Sequence, residues 1–308
     1  MRAAQDQRGS ALLIAVIAVA LATVLAIGLI ERAQRDLART EAFLAGERSW
    51  QYALGMETLV ERLLGRALAE GLDPATLTGS WTEPFEVPGG YVQGRLLDQQ
   101  GRFNLNALAS PDRVVAAGAE ASLVRLLEHL ALPRSVAAEL AEWLTGPDAG
   151  AARPGRVGDG WYGSQTPPYR VPGLPLSHVS ELRWVRSVDA EVYQRLLPHV
   201  TALPETRLSV NVNSTSPEVL GSLVDGLDIE QARRVLADGP FTETAQLAAH
   251  PLMAGRLTPE QQVYLGVTSR WFMAQARVVL DGIERDYHRL IHQGGSGYDF
   301  RYLSQGLP

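Results

Sequence analysis

The chain opens with an apolar stretch that is long enough to cross a lipid bilayer. Residues 10–30 read SALLIAVIAVALATVLAIGLI, which contains no charged residue and only two polar ones. An α-helix over residues 11–30 would rise about 30 Å, the thickness of a bilayer's hydrocarbon core. Arg2 and Arg8 precede the stretch, and positive residues favour the cytoplasmic side. We therefore expect one membrane span, with the chain beyond Ile30 on the far side.

The flanking residues distinguish a retained anchor from a cleaved secretory signal. A secretory signal has an apolar core of about 7–15 residues and then a small-residue cleavage site. Here the helical pattern continues past Ile30 through charged residues to about Ala69 without a helix breaker. Gly9 stands at the boundary between the polar leader and the apolar stretch, and Ser10 follows it. A plain uncleaved anchor also fits these residues.

The order of basic leader, glycine and long helix resembles the N-terminus of the type IV pilin superfamily. The resemblance implies that prepilin peptidase cuts between Gly9 and Ser10, so that residues 1–9 are a leader peptide and residues 10–30 stay on the mature protein. Most pilin-like proteins have a glutamate five residues into the mature chain, where this sequence has Ile14. That departure resembles the K-type minor pseudopilin of type II secretion, which is placed at the tip of the pseudopilus.

Composition excludes several kinds of chemistry. The 308 residues include no cysteine, and all 28 basic residues are arginine. Disulfides, thiolate metal sites, a Walker A lysine and a Schiff-base lysine are therefore excluded. The net charge of −6 provides no basic surface for nucleic acid, so we expect no nucleic-acid partner. The sequence has no Gly-x-Ser-x-Gly or His-Glu-x-x-His motif, and we expect no enzyme. A membrane-tethered hydrolase would need a nucleophile that the motifs do not provide.

Hydrophobic periodicity predicts an α+β fold. Apolar residues repeat every three or four positions over residues 52–67, which indicates an amphipathic helix whose apolar side must be covered. Strands are predicted in two pairs, at residues 81–87 and 91–98 and at residues 268–280 and 283–291. Asp281-Gly282 joins the second pair and is typical of a type I′ hairpin turn. The expected fold is a pilin-like long N-terminal helix packed on an antiparallel sheet.

About 170 residues separate the two strand pairs, and they predict a large inserted all-helical domain. Helical spacing covers residues 123–130, 136–144, 180–186 and 189–197. The expected N-caps are Ser135, Ser216, Asp228 and Thr258, the last two in capping boxes with Gln231 and Gln261. The predicted division is a leader (1–9), a membrane-spanning segment (10–30), a pilin-like domain in two parts (31–108 and 205–308) and the inserted helical domain (109–204).

Residues 220–236 resemble a helix-hairpin-helix, a DNA-binding motif in which two glycines offer backbone N–H groups to a phosphate. Gly226 matches the first glycine, but Asp228 stands where the second is expected. Its carboxylate would cap the following helix and repel a phosphate there. A packed helical hairpin is therefore favoured. The alternative function is a membrane-anchored periplasmic DNA-binding or uptake protein.

Short motifs in a fixed order resemble the type II secretion K proteins over most of residues 9–250. They are GRFNLNAL at 101–108, Trp143-Leu144, Pro168-Tyr169-Arg170, Ser180-Glu181-Leu182, Leu203-Pro204 and VNVNSTSPEVL at 210–220. We expect the asparagines of the first and last motifs to satisfy loop backbone groups. The resemblance implies a minor pseudopilin of the inner membrane, with a cytoplasmic N-terminus and a periplasmic body. It also implies assembly with the I-type and J-type minor pseudopilins into a tip complex that initiates the pseudopilus.

The resemblance also implies calcium in the long loop at residues 146–176. Calcium takes six to eight oxygen ligands, several of them from carboxylates. This chain has Thr145 and Gly158 where the family has acids, which leaves Asp148 and Asp159 as candidate ligands. Two arginines lie between those aspartates. We therefore expect a weak calcium site at most, and no other cofactor.

Overall fold

The structure is a computed structural model that describes residues 3–70, 74–146, 158–294 and 297–306. The α-helices are α1 Ala3–Ala69, α2 Arg113–His129, α3 Ser135–Thr145, α4 Gly158–Gly163, α5 Ala190–Leu196, α6 Pro217–Leu223, α7 Ile229–Ala237, α8 Thr244–Ala249 and α9 Pro259–Tyr264. The strands are β1 Phe85–Val87, β2 Gly90–Asp98, β3 Phe103–Asn104, β4 Val200–Thr201, β5 Val210–Asn211, β6 Leu265–Gly266, β7 Trp271–Leu280, β8 Ile283–Gln293 and β9 Tyr298–Gln305. Short 3₁₀ helices cover Pro74–Leu77, Leu105–Ala109, Val179–Trp184 and Leu197–His199.

Helix α1 dominates the molecule. Its 67 residues rise about 100 Å at about 1.5 Å per residue. Between Leu12 and Ile30 the large apolar side chains are 52–69% exposed. The most apolar 18-residue window of the helix has a mean hydropathy of 3.0 and no buried residue. The first part of α1 therefore has the length and the composition of a membrane span, as predicted.

The main sheet has five antiparallel strands in the order β1-β2-β7-β8-β9. Leu280 pairs with Ile283 across the turn at Asp281 and Gly282, whose φ angles are 52° and 78°. Positive φ at both positions is the type I′ geometry that the sequence predicted. Strand β1 is shorter than predicted because Pro84, which precedes it, has no N–H to donate. The α+β fold class is confirmed.

One face of the sheet packs on α1. Ala53 and Leu64 of the helix are buried against alternate residues of the central strands, among them Val92, Phe272 and Ile291. Side chains at every second strand position point to the same face, so the residues between them lie on the opposite face. That second face contacts the inserted region, where Leu203 packs with Trp271 and Leu290.

The inserted helices share one continuous core. Its buried residues run from Phe103 to Leu265 and include Leu220 and Val235, which are fully buried. The predicted border between residues 204 and 205 falls inside this core, because α6 packs on α2, which precedes that border, and α7 packs on α6. By packing, the inserted region extends from β3 to β6, and the sheet resumes with β7.

The predicted N-caps of the helices are confirmed with one exception. Ser216, Asp228 and Thr258 accept hydrogen bonds from the backbone N–H three residues later, at 3.3, 2.7 and 3.2 Å. Ser135 was expected to cap α3 but is its first residue, and Arg134 occupies the cap position without a side-chain bond. The Ser135 hydroxyl instead donates to the hydroxyl of Ser187 at 3.1 Å.

Candidate functional site

The predicted processing site lies near the start of α1. Gly9 and Ser10 belong to the uninterrupted helix Ala3–Ala69, directly before the exposed apolar segment that begins at Leu12. The peptide bond between them therefore lies at the boundary between the polar leader and the membrane-spanning part. Cleavage there stays a prediction.

Between the apolar segment and the sheet, α1 presents a short stretch that packs on nothing in the described chain. Going along α1 from the apolar segment towards the sheet, the first buried residue is Ala45, at 5% exposure. Before it, Leu37, Phe43 and Leu44 are 60%, 65% and 51% exposed. Exposed apolar residues that cluster on one element commonly mark a protein contact. This stretch is a candidate surface for contact with neighbouring helices.

A half-buried ion pair holds α1 on the sheet. Glu57 Oε1 lies 3.3 Å from Nε of Arg289, and the two side chains are 18% and 25% exposed. Burial raises the pKa of Glu57, and the positive charge of Arg289 lowers it by a smaller amount. The Arg289 guanidinium also lies 5.9 Å from the centre of the Phe300 ring on β9. This arginine therefore connects α1, β8 and β9.

The end of β2 carries a carboxylate that joins the sheet to the inserted region. Asp98 Oδ2 accepts hydrogen bonds from the hydroxyls of Ser214 and Ser269 at 2.5 and 2.6 Å, and from Asn211 Nδ2 at 3.2 Å. Its Oδ1 accepts from the backbone N–H of Gln100 at 2.7 Å. Sequence reasoning missed Asp98. The only local signal was an aspartate at the end of a strand, which is common in turns.

The asparagines of the motifs at residues 101–108 and 210–220 have the predicted structural role. Asn106 donates to the carbonyl of Leu176 at 2.9 Å and accepts from its N–H at 2.7 Å. Asn213 makes the same pair of bonds with Phe241, both at 2.8 Å. Asn104 donates to two further loop carbonyls at 2.8 and 3.0 Å. Their amides therefore satisfy loop backbone groups in place of regular secondary structure.

The candidate calcium ligands are only partly within the described residues, since Asp148 lies outside them. Asp159 is described, and its Oδ1 accepts a hydrogen bond from the N–H of Val171 at 3.2 Å. The Thr145 hydroxyl donates back into its own helix at 2.6 Å. Within the described chain, no three His, Cys, Asp or Glu side chains converge as metal ligands would. Calcium needs six to eight oxygens, and the described residues of this loop supply one carboxylate, that of Asp159. Calcium binding stays a prediction.

Aromatic side chains pack the described part of this loop, residues 158–176, against α3. Ring centres lie 5.5 Å apart for Trp143 and Tyr162, 5.4 Å for Tyr162 and Tyr169, and 5.2 Å for Tyr169 and Trp184. Tyr162, in α4, is fully buried, and this burial raises the pKa of its hydroxyl to about 12. Each such pair contributes about 0.5–1.5 kcal/mol beyond its buried area. The sequence had predicted an irregular loop here, without α4.

The segment that resembles a helix-hairpin-helix is a packed hairpin. The Asp228 carboxylate caps α7, so it occupies the helix N-terminus at which a phosphate would bind. Asp225 makes an ion pair of 2.9 Å with Arg125, and the Gly226 carbonyl accepts a hydrogen bond from Arg256. Leu227 is buried in the core. These contacts disfavour the alternative of DNA binding.

Comparison with known proteins agrees with this architecture. Models of the family described as "Type II secretion system (T2SS), protein K" match residues 101–205 and 210–268. Type II secretion system protein K of Klebsiella pneumoniae is 32% identical over 94% of this chain and 93% of that protein. The same protein of Pectobacterium carotovorum subsp. carotovorum is 30% identical over 94% of this chain and 93% of its own length.

A solved structure shows the same fold. It is the crystal structure of the GspK-GspI-GspJ complex of the type 2 secretion system of enterotoxigenic Escherichia coli, and the matched chain has a TM-score of 0.76 and 26% sequence identity. The match covers 88% of this chain and 100% of that one. This chain belongs to the type II secretion system protein K family and is a minor pseudopilin.

Proposed function

We propose that this minor pseudopilin forms the tip of the pseudopilus with the I-type and J-type minor pseudopilins, and that it initiates pseudopilus assembly for protein export. The similar chain of known structure was crystallised in a complex of those three kinds of subunit. The observation that carries the proposal is the division of α1 into an exposed apolar part and a part packed on the sheet. Such a helix can leave the bilayer and pack among other helices without unfolding the body.

The size of the inserted region supports a position at the tip. Its core runs from Phe103 to Leu265 and lies on the sheet face that α1 does not cover. Extra mass of that size obstructs a subunit that would stack above it. Ile14 agrees with this position, because a glutamate there would be needed only to pair with a neighbouring subunit, and an unpaired carboxylate is costly in lipid.

The proposed orientation places the N-terminus in the cytoplasm, the apolar part of α1 in the inner membrane and the body in the periplasm. Arg2 and Arg8 favour that orientation. Prepilin peptidase then cuts between Gly9 and Ser10 and leaves the apolar segment on the mature protein. Withdrawal of this segment from the bilayer into the growing pseudopilus is the mechanical step that we assign to α1.

The first test is the intact mass of the membrane-extracted protein, with and without co-expressed prepilin peptidase. Loss of residues 1–9 only when the peptidase is present is the expected result. An uncleaved chain in both samples would favour a simple anchored module. Cleavage beyond Ile30 would release the body from the membrane, and the tip mechanism would be wrong.

The second test addresses the tip position directly. The variants Ile14→Glu and Ile14→Leu are co-expressed with the I-type and J-type subunits, and complex recovery and protein export are measured. We expect Ile14→Leu to behave as the unchanged protein and Ile14→Glu to give no gain in export. Improved export with Ile14→Glu would mean that another subunit docks above this one.

A further inference from the structure

A cavity of about 470 Å³ lies between the second face of the sheet and the inserted region. The sheet supplies Leu97, Met273 and Leu290 to its wall, and the inserted region supplies Val179, Leu197 and Val200. Sites for small molecules are concave, mostly apolar and about 300–1,000 Å³ in volume. The cavity has the size and the apolar lining of such a site.

The charged side chains that line the cavity are all cationic. They are Arg95 and Arg102, the imidazoles of His178 and His288 lie beside them, and none of the described residues in its wall is an aspartate or a glutamate. Anionic ligands are favoured in a space with this lining, and cationic ligands are disfavoured.

Arg102 is the most informative of these residues. Its side chain is partly buried, and its guanidinium makes no hydrogen bond or ion pair with the part of the chain that the structure describes. Burial lowers the pKa of Arg102, and the negative charge of Asp98 only partly offsets that effect. A guanidinium has five N–H donors, and a buried charge without a partner costs free energy. An anion in the cavity would remove that cost.

His288 provides a second unused polar group. It lies on β8, is 4% exposed, and its Nδ1 has no hydrogen-bond partner in the described chain. Arg95, by contrast, is held in place. Its Nε donates to Gln275 Oε1 at 2.5 Å, and its guanidinium lies 4.6 Å from the centre of the Trp81 ring. The cavity therefore combines a fixed cation with two polar groups that are free to bind a ligand.

We propose that this cavity binds a small organic acid with an apolar body. Its carboxylate contacts Arg102 and His288 with Arg95 nearby, and its body lies against the wall formed by Leu97 and Leu290. A surface depression beside Arg183 and Trp184 shares His178 and Ser304 with the cavity and provides an entrance. The site lies where the sheet meets the inserted region, so a bound acid stabilises the contact between them.

The test uses 4-phenylbutyrate as the probe and the full chain in detergent micelles. Binding is measured by saturation-transfer NMR and by titration calorimetry, with protein-free micelles as the blank. We expect saturable binding of 4-phenylbutyrate. Its neutral analogue 4-phenylbutan-1-ol should bind at least tenfold more weakly, because it lacks the carboxylate. Equal binding of the acid and the alcohol, or no binding of the acid, would overturn the proposal.

Three variants locate the site. Arg102→Gln should weaken binding of the acid at least tenfold while the protein remains folded, since no hydrogen bond of the described chain is lost. Ala202→Phe adds a ring to a residue that lines the cavity, and it should also prevent binding. Arg113→Gln, at an exposed arginine outside the cavity, is the matched control and should bind normally. Unchanged binding in both Arg102→Gln and Ala202→Phe would place the acid elsewhere.

Discussion

The hydroxyl of Ser269 donates a hydrogen bond of 2.6 Å to the carboxylate of Asp98, although 171 positions separate the two residues in sequence. Ser214 and Asn211 donate to the same oxygen. Asp98 thus connects the point where the chain leaves the sheet with the segment through which it returns. This carboxylate is one of the groups that attach the inserted region to the sheet.

Replacement of this carboxylate should be costly. We expect Asp98→Ala to lower the free energy of unfolding by about 3 kcal/mol, because it removes several bonds to a charged acceptor and leaves their donors unsatisfied. The measurement is urea unfolding of the full chain in detergent micelles, followed by tryptophan fluorescence. Asp36→Ala, at an exposed position on α1, is the control and should change the value by less than about 0.5 kcal/mol. Equal effects of the two changes would show that the Asp98 bonds contribute nothing to stability.

Two glycine-to-alanine changes should have opposite effects. Gly282 has φ of 78° in its turn, and a Cβ there costs about 1 kcal/mol. Gly65 lies exposed within α1 with nothing near its missing Cβ, so alanine there should stabilise the chain by about 0.5–1 kcal/mol. Thermal unfolding of the two variants in micelles compares them directly. A stabilising Gly282→Ala would contradict the type I′ turn.

His288 predicts a specific loss of stability in acid. Its pKa is lowered from 6.5 to about 4, chiefly by burial; the negative charge of Asp286 opposes this shift, and His178 and Arg95 add to it. Between those two pH values the unfolded chain binds a proton that the folded chain does not, so stability falls as the pH falls through this window. The full effect is about 3 kcal/mol.

The variant His288→Leu removes that titration. We expect its free energy of unfolding, relative to the unchanged protein, to rise as the pH is lowered from 7 to 4. Comparison of the two proteins at each pH cancels the titration of the other groups. A difference that is independent of pH would mean that folding does not lower the pKa of His288.

The exposed stretch of α1 predicts a contact with the other subunits. Phe43→Glu should reduce recovery of the complex with the I-type and J-type minor pseudopilins at least tenfold, which corresponds to about 1.4 kcal/mol. Leu174→Glu makes the same kind of change at a residue of the inserted region that is 64% exposed, and it should leave recovery unchanged. If both variants assemble normally, this stretch of α1 lies outside the interface.

The donor set of the long loop predicts little response to calcium. Addition of EDTA should leave the melting temperature of the full chain in micelles unchanged, and addition of millimolar calcium should not raise it. The physical reason is that Asp159 supplies the only carboxylate among the described residues of this loop, and its Oδ1 already accepts a hydrogen bond within the protein. A rise with calcium that EDTA reverses would mean that residues 147–157 complete a site.

Local features of the fold were predictable from the sequence. The Asp281-Gly282 turn and the Asp228 capping box depend on neighbouring residues, so local patterns were sufficient to identify them. The apolar stretch before Ile30 was equally clear, because a span of that length and hydropathy is rare in soluble chains.

Features that depend on distant contacts were not predictable. The inserted core joins Phe103 to Leu265, and no local pattern shows that α6 and α7 belong with the helices before residue 204. Asp98 and Arg102 looked ordinary in sequence, and their importance comes from partners, or from the lack of them, across the fold. The cap at α3 was mistaken by one residue because the Ser135 hydroxyl bonds a distant serine instead of its own helix.

The strand order β1-β2-β7-β8-β9 has a consequence for how this molecule can be altered. Asp98 pairs with Phe272, so the ends of the inserted region meet at neighbouring positions of one strand pair. The entropic cost of closing a loop grows only with the logarithm of its length, so the length of the inserted region weakens the pairing of β2 with β7 little. A tight connection of a few residues could replace the whole inserted region, and the five strands would then follow one another as a simple up-and-down meander beneath the helix.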